Sequence, residues 1–208
     1  MSLASIVKKT AMALTGLAWV GFLIGHLTGN FLLFQGPEKF NAYAHFLEST
    51  GGLLILAEIG LAVFLLTHIY SGIKVSLENR AARPRDYEVK ATNGKASLFS
   101  RSMAVGGVIT AVFIVTHIFA FKLSSHDVED GLHGLVMRSF QNPLTVAWYI
   151  LAMFAIGMHL SHGFGSAFQT LGVSKPVWRN RLKSAGLVLG WLIAGGFMSF
   201  PIWAFFAA

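Results

Sequence analysis

The sequence predicts an all-α integral membrane bundle of five transmembrane helices, with the N-terminus inside and the C-terminus outside. Three observations predict it: the composition, five long apolar runs, and the places where basic residues fall. Of 208 residues, 54% are hydrophobic and only 12% are charged, with a mean hydropathy of +0.62. A soluble domain needs more polar surface than that. Runs long enough to cross about 30 Å of hydrocarbon lie near 11–34, 52–73, 102–122, 144–168 and 184–207. The whole chain, 1–208, reads as one transmembrane domain.

The first run follows Lys8 and Lys9 as a signal peptide would. It is longer than such a segment, carries His26 and Asn30, and lacks a small-residue cleavage pattern, so it is expected to stay attached. The second run holds Glu58 and His68, the third His117, and the fourth His159 and His162. The fifth has no histidine and no acid. The longest polar stretch, about 74–101, reads as a connector.

Short loops rich in Lys and Arg stay on the cytoplasmic side. Thirteen of the sixteen basic residues fall on one side: Lys8 and Lys9, then Lys74, Arg80, Arg83, Arg85, Lys90, Lys95 and Arg101, then Lys175, Arg179, Arg181 and Lys183. The other side holds Lys39, Lys122 and Arg138 among the acids Glu38, Glu48, Asp127, Glu129 and Asp130. The net charge of +7 is therefore topology, not a nucleic-acid footprint. Cysteine is absent, which excludes disulfides, cysteine-ligated iron–sulfur clusters and thioether-linked haem. No dinucleotide loop or Walker motif is present, so flavin or nucleotide chemistry requires another chain.

Ionisable groups inside a membrane are costly and usually face the bundle interior. His26 lies about eight residues, roughly 12 Å, from the outer end of the first run, and His117 about five residues from the outer end of the third. The second and fourth runs return, which puts His68 and His159 in the inner half. Four helices thus offer one histidine each, paired by level: His26 with His117 outside, His68 with His159 inside. Two bis-histidine haems suit that arrangement, because neutral imidazole coordinates iron in both oxidation states and two axial ligands close the iron to oxygen. His162 lies three residues after His159, and depth alone does not choose between them. Gly21, Gly25 and Gly29 beside His26, and Gly157, Gly163 and Gly165 around His159, let a porphyrin or another helix approach. Thr67 and Thr116 are expected only to bond back to their own helices. His45, His126 and His133 fall in outer loops and read as solvated, with His45 a candidate to line a pocket.

Taken together, GHLTGN in the first run, PEKFNAYAHFLES after it, AEIGLAVFLLTHIYSGI in the second, THIFAF in the third and MHLSHGFGSAFQTLG in the fourth resemble one family. It is the five-helix dihaem cytochrome b subunit of bacterial succinate:quinone oxidoreductases, the succinate dehydrogenases and quinol:fumarate reductases. The resemblance covers nearly the whole chain. It implies two haem b groups, the distal one on His26 and His117 and the proximal one on His68 and His159, and it favours His159 over His162. It further implies a flavoprotein that interconverts succinate and fumarate, an iron–sulfur protein docked on the inner face, menaquinone near the outer surface, and a place in the bacterial cytoplasmic membrane. A quinone needs polar groups near the distal haem, and Glu58, Asn41 and His45 are the candidates. Haem propionates need cationic or hydroxyl partners, for which Ser71, Lys74, Arg101 and Gln169 lie at the inner side. Some fumarate-reducing relatives carry carboxylates where this sequence has Asn41 and Gly157, and that departure favours succinate oxidation.

Two other readings make different predictions. Another dihaem quinone-linked anchor shares the histidines but not the loop motifs. A haem-free membrane protein relaying protons through His26, His68, His117 and Glu58 requires no matched depths and no visible absorption.

Overall fold

The computed structural model describes residues 3–81, 98–124, 129–173 and 175–207, with the side chains of all but residues 3, 4, 79, 80 and 98–102. Arg83, Arg85, Lys90 and Lys95 of the connector lie outside the described residues, as do His126 and Asp127, and Arg101 is described in its backbone alone. Among the described residues there is no strand. Seven α-helices follow in order: α1 (Leu3–Asn30), α2 (Pro37–Ser49), α3 (Gly52–Ala81), α4 (Leu98–His117), α5 (Gly131–Ser139), α6 (Pro143–Thr170) and α7 (Pro176–Phe206). A 3-10 turn, Phe31–Gln35, extends α1, and a π turn, Ile118–Lys122, extends α4.

Five of these helices are long and apolar enough to cross a membrane: α1 with its 3-10 turn, α3, α4 with its π turn, α6 and α7. The sequence-derived runs find each one but misjudge some ends. Helix α3 continues past Lys74 to Ala81, and α7 begins at Pro176, so Arg179, Arg181 and Lys183 ride on its first turns and not in a loop. Hydropathy marks the thickness of hydrocarbon, whereas the helix continues wherever its backbone bonds stay satisfied; 31 residues of α7 reach roughly 46 Å, well beyond the apolar slab. Helix starts are marked chemically. Pro37, Pro143 and Pro176 each occupy the first turn, where a missing N–H costs nothing, and Asn142 caps α6 by accepting from the Leu144 N–H at 2.9 Å.

The two helices not foreseen from the sequence are α2 and α5. Both lie at the end of the bundle opposite the N-terminus and pack on each other. Their joint is made by Asn41, whose Nδ2 donates to the Asp130 carbonyl at 2.7 Å and whose Oδ1 accepts from the His133 N–H at 3.0 Å. The entry to α5 is bent tightly, with Asp130 and Gly131 both left-handed at φ 62° and 54°.

Helix α6 is the centre of the bundle and packs on α1, α4 and α7. Half of its most apolar stretch is buried, against none of the corresponding stretch of α3, which packs mainly on α1. The α6–α7 seam is built on small residues: a Cβ placed on Gly190 would stand 2.9 Å from the Gly157 carbonyl, and one on Gly157 would stand 3.0 Å from Ala194 Cβ. In a bilayer such close backbone approach replaces the hydrophobic drive that water would supply. Replacing Gly190 with Leu is accordingly expected to weaken the α6–α7 seam by about 1–3 kcal/mol, read as a lower unfolding midpoint of the detergent-solubilised protein.

Candidate functional site

Four histidines meet in two pairs, and His162, which depth leaves equivalent to His159, joins neither. His26 on α1 faces His117 on α4, ring centres 5.9 Å apart and planes at 81°. His68 on α3 faces His159 on α6, centres 6.1 Å apart and planes at 68°. Among the described residues neither α1 and α4 nor α3 and α6 pack closely through their backbones, so each imidazole pair bridges a helix-to-helix gap.

The surroundings of the His26–His117 pair are aromatic. The His26 ring stacks on Phe22 at 5.2 Å and lies 5.7 Å from Phe197 of α7, while the Asn30 amide stands 3.4 Å from both of its nitrogens. His117 is the last α-helical residue before the π turn, held along its own helix between Phe113 at 5.5 Å and Phe121 at 5.4 Å. Such turns are rare and frequent at functional positions. The buried Tyr149 of α6 puts its hydroxyl 3.2 Å from His117 Nδ1.

The His68–His159 pair is fixed from α1. His68 Nδ1 lies 2.9 Å from the Met12 carbonyl; a carbonyl only accepts, so Nδ1 carries the proton and the Nε2 lone pair is left free. Thr15 Oγ1 stands 3.5 Å from the same nitrogen, and a Cβ on Gly16 would meet His68 Cε1 at 3.0 Å. On the other side, His159 Nδ1 is buried and makes no hydrogen bond, and Gly107 leaves room beside the ring.

Each pair offers two imidazoles with ring centres about 6 Å apart, and imidazole nitrogen is a donor that would suit a transition metal such as iron. An outer nitrogen bonded to a carbonyl or hydroxyl, as at His68 and His117, is how ligating imidazoles are oriented. His162 is not part of either pair: its Nε2 lies 3.2 Å from Ser166 on the same helix. Gly21 and Gly25 have nothing within 4 Å of an added Cβ and leave space, whereas Gly29 abuts Tyr43, Gly157 abuts α7 and Gly165 lies against Leu182 and Lys183. Those three serve helix packing.

The remaining candidates separate. Asn41 and His45 line one surface cleft of about 350 Å³ together with Ala44, Glu48, Asp130, Gly131 and Leu132. His45 is exposed and pairs with Glu48 at 3.2 Å, and the Asn41 amide is spent on the α2–α5 joint. Glu58 does not join them: it forms an ion pair of 2.6 Å with Lys122, tying α3 to the π turn of α4. Near the N-terminal end, Ser71 is buried, Lys74 lies 5.9 Å from the centre of its neighbour Tyr70's ring, and Gln169 is exposed. His133, expected to be solvated, is in fact buried against Phe40 with both ring nitrogens unpartnered, because α5 folds that face inward. Sequence reasoning also missed Tyr149 and Trp19, whose buried Nε1 likewise has no partner. Both sit in continuous apolar runs, where nothing distinguishes one aromatic from the next.

The chain is 24% identical over 177 residues to the succinate dehydrogenase cytochrome b558 subunit of Bacillus subtilis (strain 168), which covers 83% of this chain and 83% of that one. The likeness supports the cytochrome b anchor family. No family model and no solved structure matches the chain. The similarity spans most of the bundle, so it bears on the anchor as a whole and not on a single motif.

The α2–α5 joint gives a local expectation. Asn41→Ala removes two hydrogen bonds that cross it, and the amide of His133 is expected to exchange with solvent at least tenfold faster while amides in the middle of α6 keep their protection.

Proposed function

We propose that this chain is the membrane anchor and electron-transfer subunit of a succinate:quinone oxidoreductase, carrying electrons between an iron–sulfur partner and menaquinone through two b-type haems. The observation that carries the reading is the pairing of four intramembrane imidazoles at two levels, each pair spanning a gap between helices. The similarity to a succinate dehydrogenase cytochrome b subunit supports membership of that enzyme complex.

A haem b at each level would supply reversible one-electron iron chemistry. His26 and His117 would hold the outer one, and His68 and His159 the inner one. The Met12 carbonyl keeps His68 in the tautomer whose Nε2 is free to ligate, and the Tyr149 hydroxyl steadies His117 from α6. Aromatic rings around the outer pair keep water away. Ser71, Lys74, Arg101 and Gln169 are assigned to the propionates of the inner group, and Asn41, His45 and Glu58 to the quinone end.

In this reading the N-terminal face is cytoplasmic. Its Lys8, Lys74, Lys175, Arg179 and Arg181 favour docking of an iron–sulfur protein, with the succinate site on a flavoprotein beyond it. The membrane is the bacterial cytoplasmic membrane, and the departures at Asn41 and Gly157 favour succinate oxidation.

The deciding experiment is a dithionite-reduced minus oxidised spectrum of the purified complex, with haem counted by pyridine haemochrome. Two low-spin b haems per chain are expected; well-folded protein with none would end the reading and leave the histidines as a proton path. Substituting His26 or His117 with Ala should remove the outer haem and spare the inner, and His68→Ala or His159→Ala the reverse. Tyr149→Phe should keep both haems while shifting the midpoint potential of the outer one alone, measured by optical redox titration.

A further inference from the structure

The corner where α6 gives way to α7 carries charge that the chain itself does not balance. Lys175, Arg179, Arg181 and Lys183 fall within nine residues of one another, and no acid occurs anywhere after Asp130. Among the described residues none of the four forms an ion pair, whereas Lys8, Lys122 and Arg138 each face an acid.

These cations border a cleft. It measures about 340 Å³ and is lined by Phe168 of α6, Val173 of the turn, and Lys175, Trp178 and Leu182 at the start of α7. Its polarity is graded. Lys175 precedes the first turn of α7, and Leu182 lies seven residues, roughly 10 Å, further along, beside the stretch after Lys183 that carries no charge. One end is therefore cationic, and the other is apolar and lies toward the hydrocarbon. Trp178 stands between them, half exposed, with the Arg181 guanidinium over its ring at 4.9 Å from the centroid. Arg179 lies one turn beyond Lys175, its N–H bonded to the Lys175 carbonyl at 3.1 Å.

We propose that this cleft binds one anionic glycerophospholipid of the adjoining leaflet, with its phosphate held by Lys175, Arg179 and Arg181 and an acyl chain laid over Trp178, Leu182 and Phe168. This goes beyond the electron-transfer reading, in which the same cations serve only as a charged docking face. The grading selects the occupant. A phosphate diester offers a negative charge and accepting oxygens, which ammonium and guanidinium groups match, and its tails leave it in one direction, as the cleft does. A soluble protein docked on this face would answer the cations and leave the apolar end without a use. A zwitterionic lipid would fill the apolar end but bring a cation of its own among three others. The amphipathic ring of Trp178 suits this depth, and basic pockets between transmembrane helices on the cytoplasmic side are where anionic head groups bind.

The test places the purified complex in phosphatidylcholine nanodiscs and titrates in lipid brominated on its acyl chains, which quenches nearby indoles. The signal of Trp178 is isolated as the difference between wild type and Trp178→Phe. Brominated phosphatidylglycerol is expected to half-quench that signal at a mole fraction on the order of tenfold lower than brominated phosphatidylcholine. Lys175→Gln combined with Arg179→Gln should make the two lipids equal, whereas Lys175→Arg combined with Arg179→Lys, which keeps both charges, should preserve the preference. Lys9→Gln, which removes a cation of the same face from α1, should also leave it unchanged. Equal quenching by the two lipids in wild type overturns the proposal. So does a preference that survives the double Gln variant; if that variant also sheds the iron–sulfur subunit, the cations belong to docking instead. A loss in Lys9→Gln as large as in the double Gln variant overturns it too, because the effect then belongs to the general charge of the face.

Discussion

The arrangement of this bundle depends on imidazoles meeting across helix pairs that have little else to hold them. Lipid tails are as apolar as leucine, so burying an aliphatic face against a neighbour gains little in a membrane. Helix α3 shows the result: its most apolar stretch has no buried residue, and large side chains such as Leu53, Ile59, Val63 and Leu66 are exposed along it. What fixes it is polar and local: His68 to the Met12 carbonyl of α1, the Lys8–Glu78 ion pair at one end, and the Glu58–Lys122 ion pair toward the other. Each contact lies at a different depth, so together they set the rotation and height of the helix that the apolar surface leaves free.

The opposite half of the bundle solves the same problem by shape. Between α6 and α7, Gly157, Gly186, Gly190 and Ala194 bring two backbones close enough for dispersion to hold them, and Pro201 of α7 is fully buried. His159 and Tyr149 project from the central helix α6, which reaches His68 at one level and His117 at the other.

Much of this was legible in the sequence because a bilayer permits few solutions. Five long apolar runs must be helices, and helices that alternate in direction assign a depth to every residue, which is why His26 and His117 group at one level and His68 and His159 at the other. Depth carries no azimuth, however. It left His159 and His162 equivalent, whereas a three-residue step turns His162 far enough around α6 to reach Ser166 instead of His68. It also said nothing of α2 and α5, whose mixed composition reads as loop and whose helicity comes from packing on one another through Asn41. Glycine was ambiguous for the same reason: spacing gives a small strip, and only the neighbour shows that Gly157 faces α7 while Gly21 faces open space.

The π turn at Ile118–Lys122 bears on how this protein is aligned with its kin. Closing hydrogen bonds one residue further than an α-helix does, such a turn accommodates an added residue without lengthening the helix by a full step. A homologue whose third spanning helix is regular throughout would keep its histidine in register with His117 and then fall out of phase by one position before reaching the counterpart of Lys122. Pairwise alignments across this stretch should therefore open a single-residue gap immediately after the histidine, and the basic residue facing Glu58 should be sought on either side of that gap, not at a constant offset.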